Sequence, residues 1–541
     1  MEIKGKTLFQ SSLSKRQQTT GFIGVMLSLF IGSLYNTIVG TAMPRIITDL
    51  GGFSQYSWVF TSFMITQVVA IPLAGKLSDM YGRKWFYVAG ISIFLTGSFL
   101  CGISQTMTQL IIFRGLQGLG FGVNMALSFI VIGDLFPPEE RGKYHGILAG
   151  VFGVSTIIGP LLGGYLTDYL SWRWCFFFPL PFGIFILLLF IFFYPQLRPD
   201  YVRHKVDYAG TIAMALAIVP LMLALSWGGA EYGWQSPLIL GIFVFSVAMF
   251  VIFFIIESCA EEPIIPLGLF KNRVVAVSSM TVFLQSFSFF SVISFIPLYF
   301  QGVLGTTAAM SGNFMVPMMF SAATASFICG QAISRTGGYY RLLSTIGFIV
   351  MAAGLFLLSR MTAETSFIIA VRNVILVGFG IGAIMPVHTI AVQNSVPYSF
   401  LGSATAMVNL MRNLGGLFGL SIVGSIINNR FSSQFAANLP PAVKEVVSPD
   451  KLASIVNNPQ VLVNVEAQAQ LHSLFEGLGT QGAELFEQTL STLQNALSTA
   501  LTQVFLTVFG VTILAMTINL FLTGITAHRR QRDEMVIEPR D

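Results

Sequence analysis

Apolar runs long enough to cross a membrane recur along the whole chain. We place fourteen, at roughly 20–43, 54–75, 85–103, 107–133, 143–166, 174–194, 208–226, 237–257, 274–300, 308–333, 341–359, 366–391, 402–428 and 500–527. Each is near the ~20 residues that a helix needs to cross a hydrocarbon core about 30 Å thick. The runs show no two-residue alternation, which argues against a β-barrel. The sequence therefore predicts an all-α polytopic membrane protein.

Composition supports this class and excludes others. Only 10% of the 541 residues are charged, against about 25% in soluble domains. The net charge of +5 does not indicate nucleic-acid binding, because the positive residues belong to loops on one face. The cysteines, Cys101, Cys175, Cys259 and Cys329, lack the spacing of metal ligands. We expect no metal and no cofactor, only an ion gradient as energy source.

Lysine and arginine are distributed unequally between the two faces. With the N-terminus inside, the outer loops hold only Arg45, Arg173, Arg360, Arg430, Lys444 and Lys451, and the inner loops and termini hold most of the others. Cytoplasmic loops carry such an excess. The sequence predicts a plasma-membrane protein with both termini cytoplasmic.

An internal repeat divides the chain. The segment from Gly75 to Arg83 recurs as Gly330 to Arg341, and Gly142 and Gly159 align with Gly402 and Gly419. Spans 1–6 thus resemble spans 9–14, and because six is even the repeats are parallel. We predict an N-terminal six-helix bundle (1–195), two inserted helices (196–270) and a C-terminal six-helix bundle (271–541). Two such bundles enclose a central cavity and transport by rocking.

The loop between spans 2 and 3 has the chemistry of a gate. Asp79 ends span 2, and Arg83 follows four residues later, so the two can pair locally and with neighbouring helix ends. Asp134, at the inner end of span 4, is a candidate third partner. Residues assigned to this loop or its copy are Gly75, Gly82, Lys84 and Arg335; the glycines are expected to allow a tight reversal. A plain turn in a positive loop is the alternative.

Three arginines lie inside predicted spans. Arg114 is about seven residues into span 4, with Gln117 one turn away on the same face. Arg372 holds the equivalent place in the other half, and Arg412 is near the middle of span 13. An arginine at such depth costs a few kcal/mol unless it finds a carbonyl, a partner or water. Each of these arginines either lines the central cavity or has a structural role, with its hydrogen bonds satisfied within the protein.

Span 5 carries a run of small residues. Gly153, Gly159, Gly163 and Gly164 allow close helix approach, and Pro160 kinks the helix. Helix packing alone explains the glycines, whereas the Gly159–Pro160 pair favours a functional bend.

Residues 429–499 form the one sizeable segment predicted outside the membrane, on the outer side. Leu490, Leu493, Leu497, Leu501 and Val504 recur there at helical spacing. This indicates either an amphipathic helix on the outer leaflet or a packed helical hairpin over the outer mouth. The short tail 528–541 is basic, which suits anionic lipid.

Several of these segments together resemble the major facilitator superfamily, in its fourteen-span drug:proton antiporter branch. The matching segments are 75–84, 113–118, 153–164 and 171–174. The resemblance implies the two-bundle major facilitator fold and multidrug efflux, with Arg114 in coupling or substrate contact. It also implies that the bend at Gly159–Pro160 seals against leak.

Two departures from that family bear on coupling. Tyr35 stands where the first span usually carries an embedded Asp, and Pro179 replaces a usual Asn. Every acid falls at a span end or in a loop, whereas arginines lie within spans. The cavity is therefore predicted to be neutral to positive and to favour neutral, zwitterionic or anionic amphiphiles.

Three functions remain open at this point. The first is a monomeric, proton-coupled exporter of amphiphilic compounds, with the lipid bilayer as its other partner. The second is an exporter of lipid-like molecules on the same fold, and the third is a membrane sensor that transports nothing. An enzyme is not expected, because no catalytic motif appears and Gly5-Lys6-Thr7 lacks the upstream glycine of a phosphate-binding loop.

Overall fold

A computed structural model describes most of the chain as long helices. The described residues are 14–50, 56–194, 207–228, 232–260, 263–306, 308–336, 339–362, 365–397, 400–441, 443, 462, 471–473, 475 and 479–523. The organising helices are α1 (Lys15–Leu50), α2 (Tyr56–Tyr81), α3 (Arg83–Ile103), α4 (Met107–Leu135), α5 (Pro138–Tyr169), α6 (Trp174–Phe177), α7 (Pro179–Phe193), α8 (Tyr208–Trp227), α9 (Pro237–Cys259), α10 (Arg273–Leu298), α11 (Ala308–Thr336), α12 (Tyr340–Leu358), α13 (Phe367–Ser395), α14 (Leu401–Asn438) and α15 (Gly479–Asn519). A 3-10 turn, Leu267–Lys271, precedes α10, and a π-helical turn, Tyr299–Val303, follows it.

The helices confirm the predicted all-α membrane class. In the described residues, thirteen helices are long and apolar enough to cross a membrane. The 32-residue helix α5 occupies the remaining predicted span. The last span ends earlier than predicted, since α15 stops at Asn519 rather than near 527. The tail 528–541 lies outside the described residues.

The reversal between α2 and α3 is a single residue. Gly82 has φ +94°, and α2 ends at Tyr81 while α3 begins at Arg83. A positive φ favours glycine because a Cβ would crowd the following carbonyl. Gly75 does not contribute to the turn, contrary to the sequence-based expectation, because it lies inside α2. We call the end of the bundle that holds this turn the Gly82 end, and the opposite end the Trp227 end.

Gly75 instead lets α2 cross α14 closely. A Cβ at Gly75 would overlap that of Ala406 and lie 3.0 Å from the carbonyl oxygen of Gly402. The crossing of α5 with α11 is equivalent, because Gly142 and Gly330 each lie against the carbonyl of the other. The sequence repeat aligns Gly75 with Gly330 and Gly142 with Gly402. Equivalent pairs of glycines therefore lie at the two crossings.

The helices α5 and α11 approach most closely near the Gly82 end. A Cβ at Gly146 would lie 2.9 Å from Phe327 Cα, whereas one at Gly150 would lie 4.0 Å from Ala323 Cβ and one at Gly153 would lie 3.7 Å from Met319 O. The backbones of these two helices, one from each half, are therefore closest at the Gly82 end. The exact limits of the two bundles stay a prediction.

The long last helix packs inward. With 41 residues, α15 is about 60 Å long, twice a hydrocarbon core. Leu493, Leu497, Leu501 and Val504 are fully buried, in a core that includes Phe431 of α14. The prediction of an amphipathic helix on the outer leaflet is therefore wrong for the described residues. Packing of α15 against other helices, including α14, accounts for the leucine spacing. Most of 444–478 lies outside the described residues.

We expect Gly82→Ala to lower the stability of the folded protein by about 1–2 kcal/mol, since alanine is strained at φ +94°. The measurement is the apparent unfolding temperature of the purified protein. The control is Gly241→Ala in α9, where a Cβ meets nothing within 4 Å. Equal unfolding temperatures for the two variants would contradict the role of Gly82.

Candidate gate between the two halves

Three charged side chains meet inside the Gly82 end. Arg83 forms an ion pair with Asp79, and its Nε donates to Asp134 Oδ2 at 2.9 Å. Its Nη1 also donates to Ser78 Oγ at 2.7 Å. The side chains of Arg83, Asp79 and Asp134 are 6%, 8% and 0% exposed. We call Asp79, Arg83 and Asp134 the acidic latch.

The latch reaches the other half through the first turn of α14. Asp79 Oδ2 accepts from the backbone N–H of Ser403 at 2.9 Å, and Oδ1 accepts from that of Gly402 at 3.2 Å. Ser403 Oγ donates to Oδ2 at 3.3 Å. The first N–H groups of a helix have no partner within the helix, and its N-terminus carries partial positive charge. An acid of span 2 thus caps a helix of the opposite half.

Glycine at position 402 makes this cap possible. A Cβ there would lie 2.6 Å from Asp79 Cγ, which leaves no room for the carboxylate. The sequence reasoning noted Gly402 only for its alignment with Gly142 and did not assign it to the gate. The sequence did contain the information, because a glycine repeated at the start of two equivalent helices indicates that another helix or side chain approaches closely there.

Arg141, in the first turns of α5, joins two helix ends. Its Nη2 and Nε donate to the carbonyls of Gly133 at 2.8 Å and Phe136 at 3.2 Å, at the end of α4. Its Nη1 donates to Asn394 Oδ1 at 2.8 Å, at the end of α13. Basic groups stabilise helix C-termini, whose last carbonyls have no partner within the helix. Sequence reasoning missed this contact, since the partners are carbonyls and an amide.

A neutral chain of hydrogen bonds continues the contact between the halves. His145 Nε2 lies 3.2 Å from Gln393 Oε1. Gln393 Nε2 donates to the carbonyl of Phe129 at 3.0 Å and to Thr405 Oγ1 at 3.3 Å. His145 and Phe129 belong to one half and Gln393 and Thr405 to the other. Each such bond contributes about 0.5–1.5 kcal/mol, and those to charged groups about 1.5–3 kcal/mol.

Two predicted gate residues lie outside the latch. Lys84 Nζ is 5.9 Å from the ring centroid of Trp85, and Arg335 is exposed at the end of α11. In the second copy of the loop, Ser334 holds the place of Asp79, and its hydroxyl donates to Gly330 O at 3.1 Å. The acidic cap thus occurs at the α2–α14 crossing, whereas a hydroxyl stands at the equivalent position of the α5–α11 crossing.

Arg114 is fully buried nearer the Trp227 end. Its Nη1 donates to Gln117 Oε1 at 2.7 Å and its Nε to Val59 O at 3.3 Å. The guanidinium carbon lies 4.2 Å from the ring centroid of Phe63. Arg114 Nη2 and Gln117 Nε2 have no hydrogen-bond partner in the described part of the chain. Two unused donors side by side can take an oxygen acceptor, once the site opens.

The other predicted coupling residues have dissimilar surroundings. The hydroxyl of Tyr35 contacts that of Ser98 and donates to Phe176 O at 3.1 Å, so it is sealed inside the first half. Arg372 is exposed and donates to Asn373 Oδ1, unlike the buried Arg114 to which it aligns. Arg412 donates to Asn409 Oδ1 at 2.8 Å and to Thr389 Oγ1 at 3.2 Å. Arg412 also lies 5.6 Å from the ring of Phe129 in the opposite half.

The small residues of α5 face different neighbours. A Cβ at Gly163 would lie 2.8 Å from Ile38 O of α1, in the same half, and one at Gly153 would lie 3.7 Å from Met319 O of α11. Gly159 is buried, while a Cβ at Gly164 would meet open space. Helix α5 continues through position 160; the side chain of Pro160 lies outside the described set.

A membrane-crossing bundle of two halves, joined at one end by a buried charged cap, has the architecture of an alternating-access transporter. The chain belongs to the Major Facilitator Superfamily, whose family model matches residues 25–420. The multidrug transporter protein MdtP of Bacillus subtilis (strain 168) is 39% identical over 85% of this chain and 84% of its own length. Multidrug resistance protein 3 of the same strain is 40% identical over 77% of this chain and 82% of its own.

A solved structure shares the fold. The human organic anion transporter MFSD10 (TETRAN) aligns with a TM-score of 0.59, covering 92% of this chain and 99% of its own, at 15% sequence identity. At this identity the likeness establishes the architecture alone.

We expect Gly402→Ala to weaken the latch without changing any charge, because the new Cβ displaces the Asp79 carboxylate. Transport should fall about tenfold or more, which corresponds to a loss above about 1.4 kcal/mol. The measurement is a double-mutant cycle of transport rates with Asp79→Asn. Combining Asp79→Asn with Gly402→Ala should lower the transport rate little further than either substitution alone.

The control is Gly510→Ala in α15, where a Cβ meets nothing within 4 Å. Independent, additive losses from Gly402→Ala and Asp79→Asn would contradict a shared cap.

Proposed function

We propose that this protein exports amphiphilic small molecules by alternating access, as a multidrug-efflux transporter. The observation that carries the proposal is the cap of α14 by Asp79, which joins the two halves at the Gly82 end. The relatives named as multidrug transporters supply the substrate class. A transporter with these parts has no need of an enzymatic activity.

We propose that the Gly82 end is cytoplasmic, in the plasma membrane. The excess of lysine and arginine in the loops at this end and in the termini supports that orientation. The conformation described above is then closed on the cytoplasmic side. A single chain supplies both halves of the gate, so we propose a functional monomer in the lipid bilayer.

The acidic latch is the proposed place of proton coupling. It holds two carboxylates, Asp79 and Asp134, for one guanidinium of Arg83. A proton bound there neutralises a carboxylate and weakens either the cap on α14 or the pair with Arg83. Asp134 Oδ1 has no hydrogen-bond partner among the described residues. Opening of this end would follow protonation.

Lipid export receives less support than drug efflux. The lipid-export hypothesis rested on a predicted amphipathic helix at the outer leaflet. The helix that carries those leucines, α15, instead packs on α14. The sensor alternative does not explain a charged cap placed between two moving halves.

Reconstituted vesicles with an imposed pH gradient test the proposal. We expect gradient-driven flux of N-phenyl-1-naphthylamine, which is uncharged, and slower flux of ethidium, a permanent cation, because buried arginines disfavour cations. The measurement is probe fluorescence on each side of the membrane. Asp49→Asn is the control, since the Arg45–Asp49 pair is exposed at the opposite end.

Absence of flux for both probes would overturn the export function. Flux that ignores the pH gradient would overturn the proton coupling alone.

A further inference from the structure

The two inserted helices bridge the halves at the Trp227 end. The ring of Trp227, at the end of α8, packs edge-to-face on that of Trp58 of α2, with centroids 5.4 Å apart. Beyond α8, Trp234 Nε1 donates to Ser425 Oγ of α14 at 2.8 Å. Residues of α8, α2 and α14 also share one hydrophobic core. The inserted pair therefore covers the seam between α2 and α14.

A cavity of about 270 Å³ lies in this seam, lined by residues of α2, α8 and α14 and partly open to the outside. Methionine and leucine side chains line one part of it, with Met64, Met222 and Leu417 from the three helices. Thr61, Ser421 and Asn428 supply hydroxyl and amide groups. Among the described residues, no charged side chain lines the cavity.

We propose that this cavity is a binding site for an uncharged amphiphile, which has an apolar body and a hydroxyl, arylamine or carbonyl head. Among the described residues an ionised group has no counter-charge in the lining, and burying a charge unpaired is costly. Methionines adapt to apolar bodies of different shape, and the hydroxyl and amide groups orient the head. The site deepens the proposed efflux function, and neither Arg114 nor Arg412 lines it.

Occupancy of the site depends on the conformation. In alternating access the Trp227 end closes as the Gly82 end opens, so this change brings Thr61 and Met64 of α2 toward Leu417 and Ser421 of α14. Closure narrows the cavity and expels its ligand. The site is therefore open in the conformation described here and serves release on this side, with α8 as its third wall.

Binding of N-phenyl-1-naphthylamine to the purified full-length protein tests the site. We expect Ser421→Phe, which fills the cavity, to weaken binding at least about tenfold. Ile422→Phe is the matched control, because Ile422 is the next residue on α14, is 38% exposed and does not line the cavity. Ethidium binding should be equal in both variants.

Protection of an introduced thiol by bound ligand provides a second readout, which does not require a bulky side chain in the cavity. In a Cys259→Ser background, which removes the exposed native thiol, we introduce Ser421→Cys and label it with a maleimide. N-phenyl-1-naphthylamine should slow the labelling at least about fivefold, and ethidium should not.

Unchanged binding in Ser421→Phe, equal losses in both phenylalanine variants, or labelling that the probe does not slow would each overturn the site. These measurements test binding alone, whereas vesicle flux tests the proposed function. If the protein exports the probe but the probe does not bind in the cavity, only this inference is contradicted.

Discussion

The structure depends on one carboxylate placed at the start of a helix from the other half. Asp79 accepts from the N–H groups of Gly402 and Ser403 and is paired with Arg83. In the buried surroundings of the Gly82 end, leaving either charge alone costs about 3–5 kcal/mol. The pair lies within the first half and the cap joins the two halves, so opening this end breaks the cap while Arg83 still neutralises Asp79.

The glycine crossings decide where the halves can meet. Gly75 with Gly402, and Gly142 with Gly330, bring backbone against backbone at the Gly82 end. Small residues allow such approach, and larger ones would hold the helices apart. Near the Trp227 end, the inserted helix α8 packs on both α2 and α14 and covers the seam between them. The pair of inserted helices thus adds a wall to a cavity that the two halves alone would leave open.

The sequence predicted the class, the helices and the neighbours of Arg83 well, because hydropathy and the i, i+4 spacing of Asp79 and Arg83 are local properties. It could not predict that Asp79 caps α14, since the partners are backbone N–H groups more than 300 residues away. For the same reason it missed Arg141, which binds carbonyls. Arg114 and Arg372 align in the repeat, yet one is buried and the other exposed, because packing around equivalent positions differs between halves. The leucine spacing in α15 was equally consistent with a leaflet or a helix as its partner, and the sequence could not choose between them.

The distance between the two halves at the Gly82 end tests the central claim most directly. Trp85 of α3 and Leu342 of α12 are 54% and 56% exposed, so Trp85→Cys and Leu342→Cys can carry spin labels in a Cys259→Ser background. Electron–electron double resonance should give one short, narrow distance with Asp79 intact. It should give a longer or broader distribution in Asp79→Asn, and no change in Asp49→Asn. An Asp79→Asn distribution identical to that of the parent would contradict the account, since the halves would then be held together without the cap.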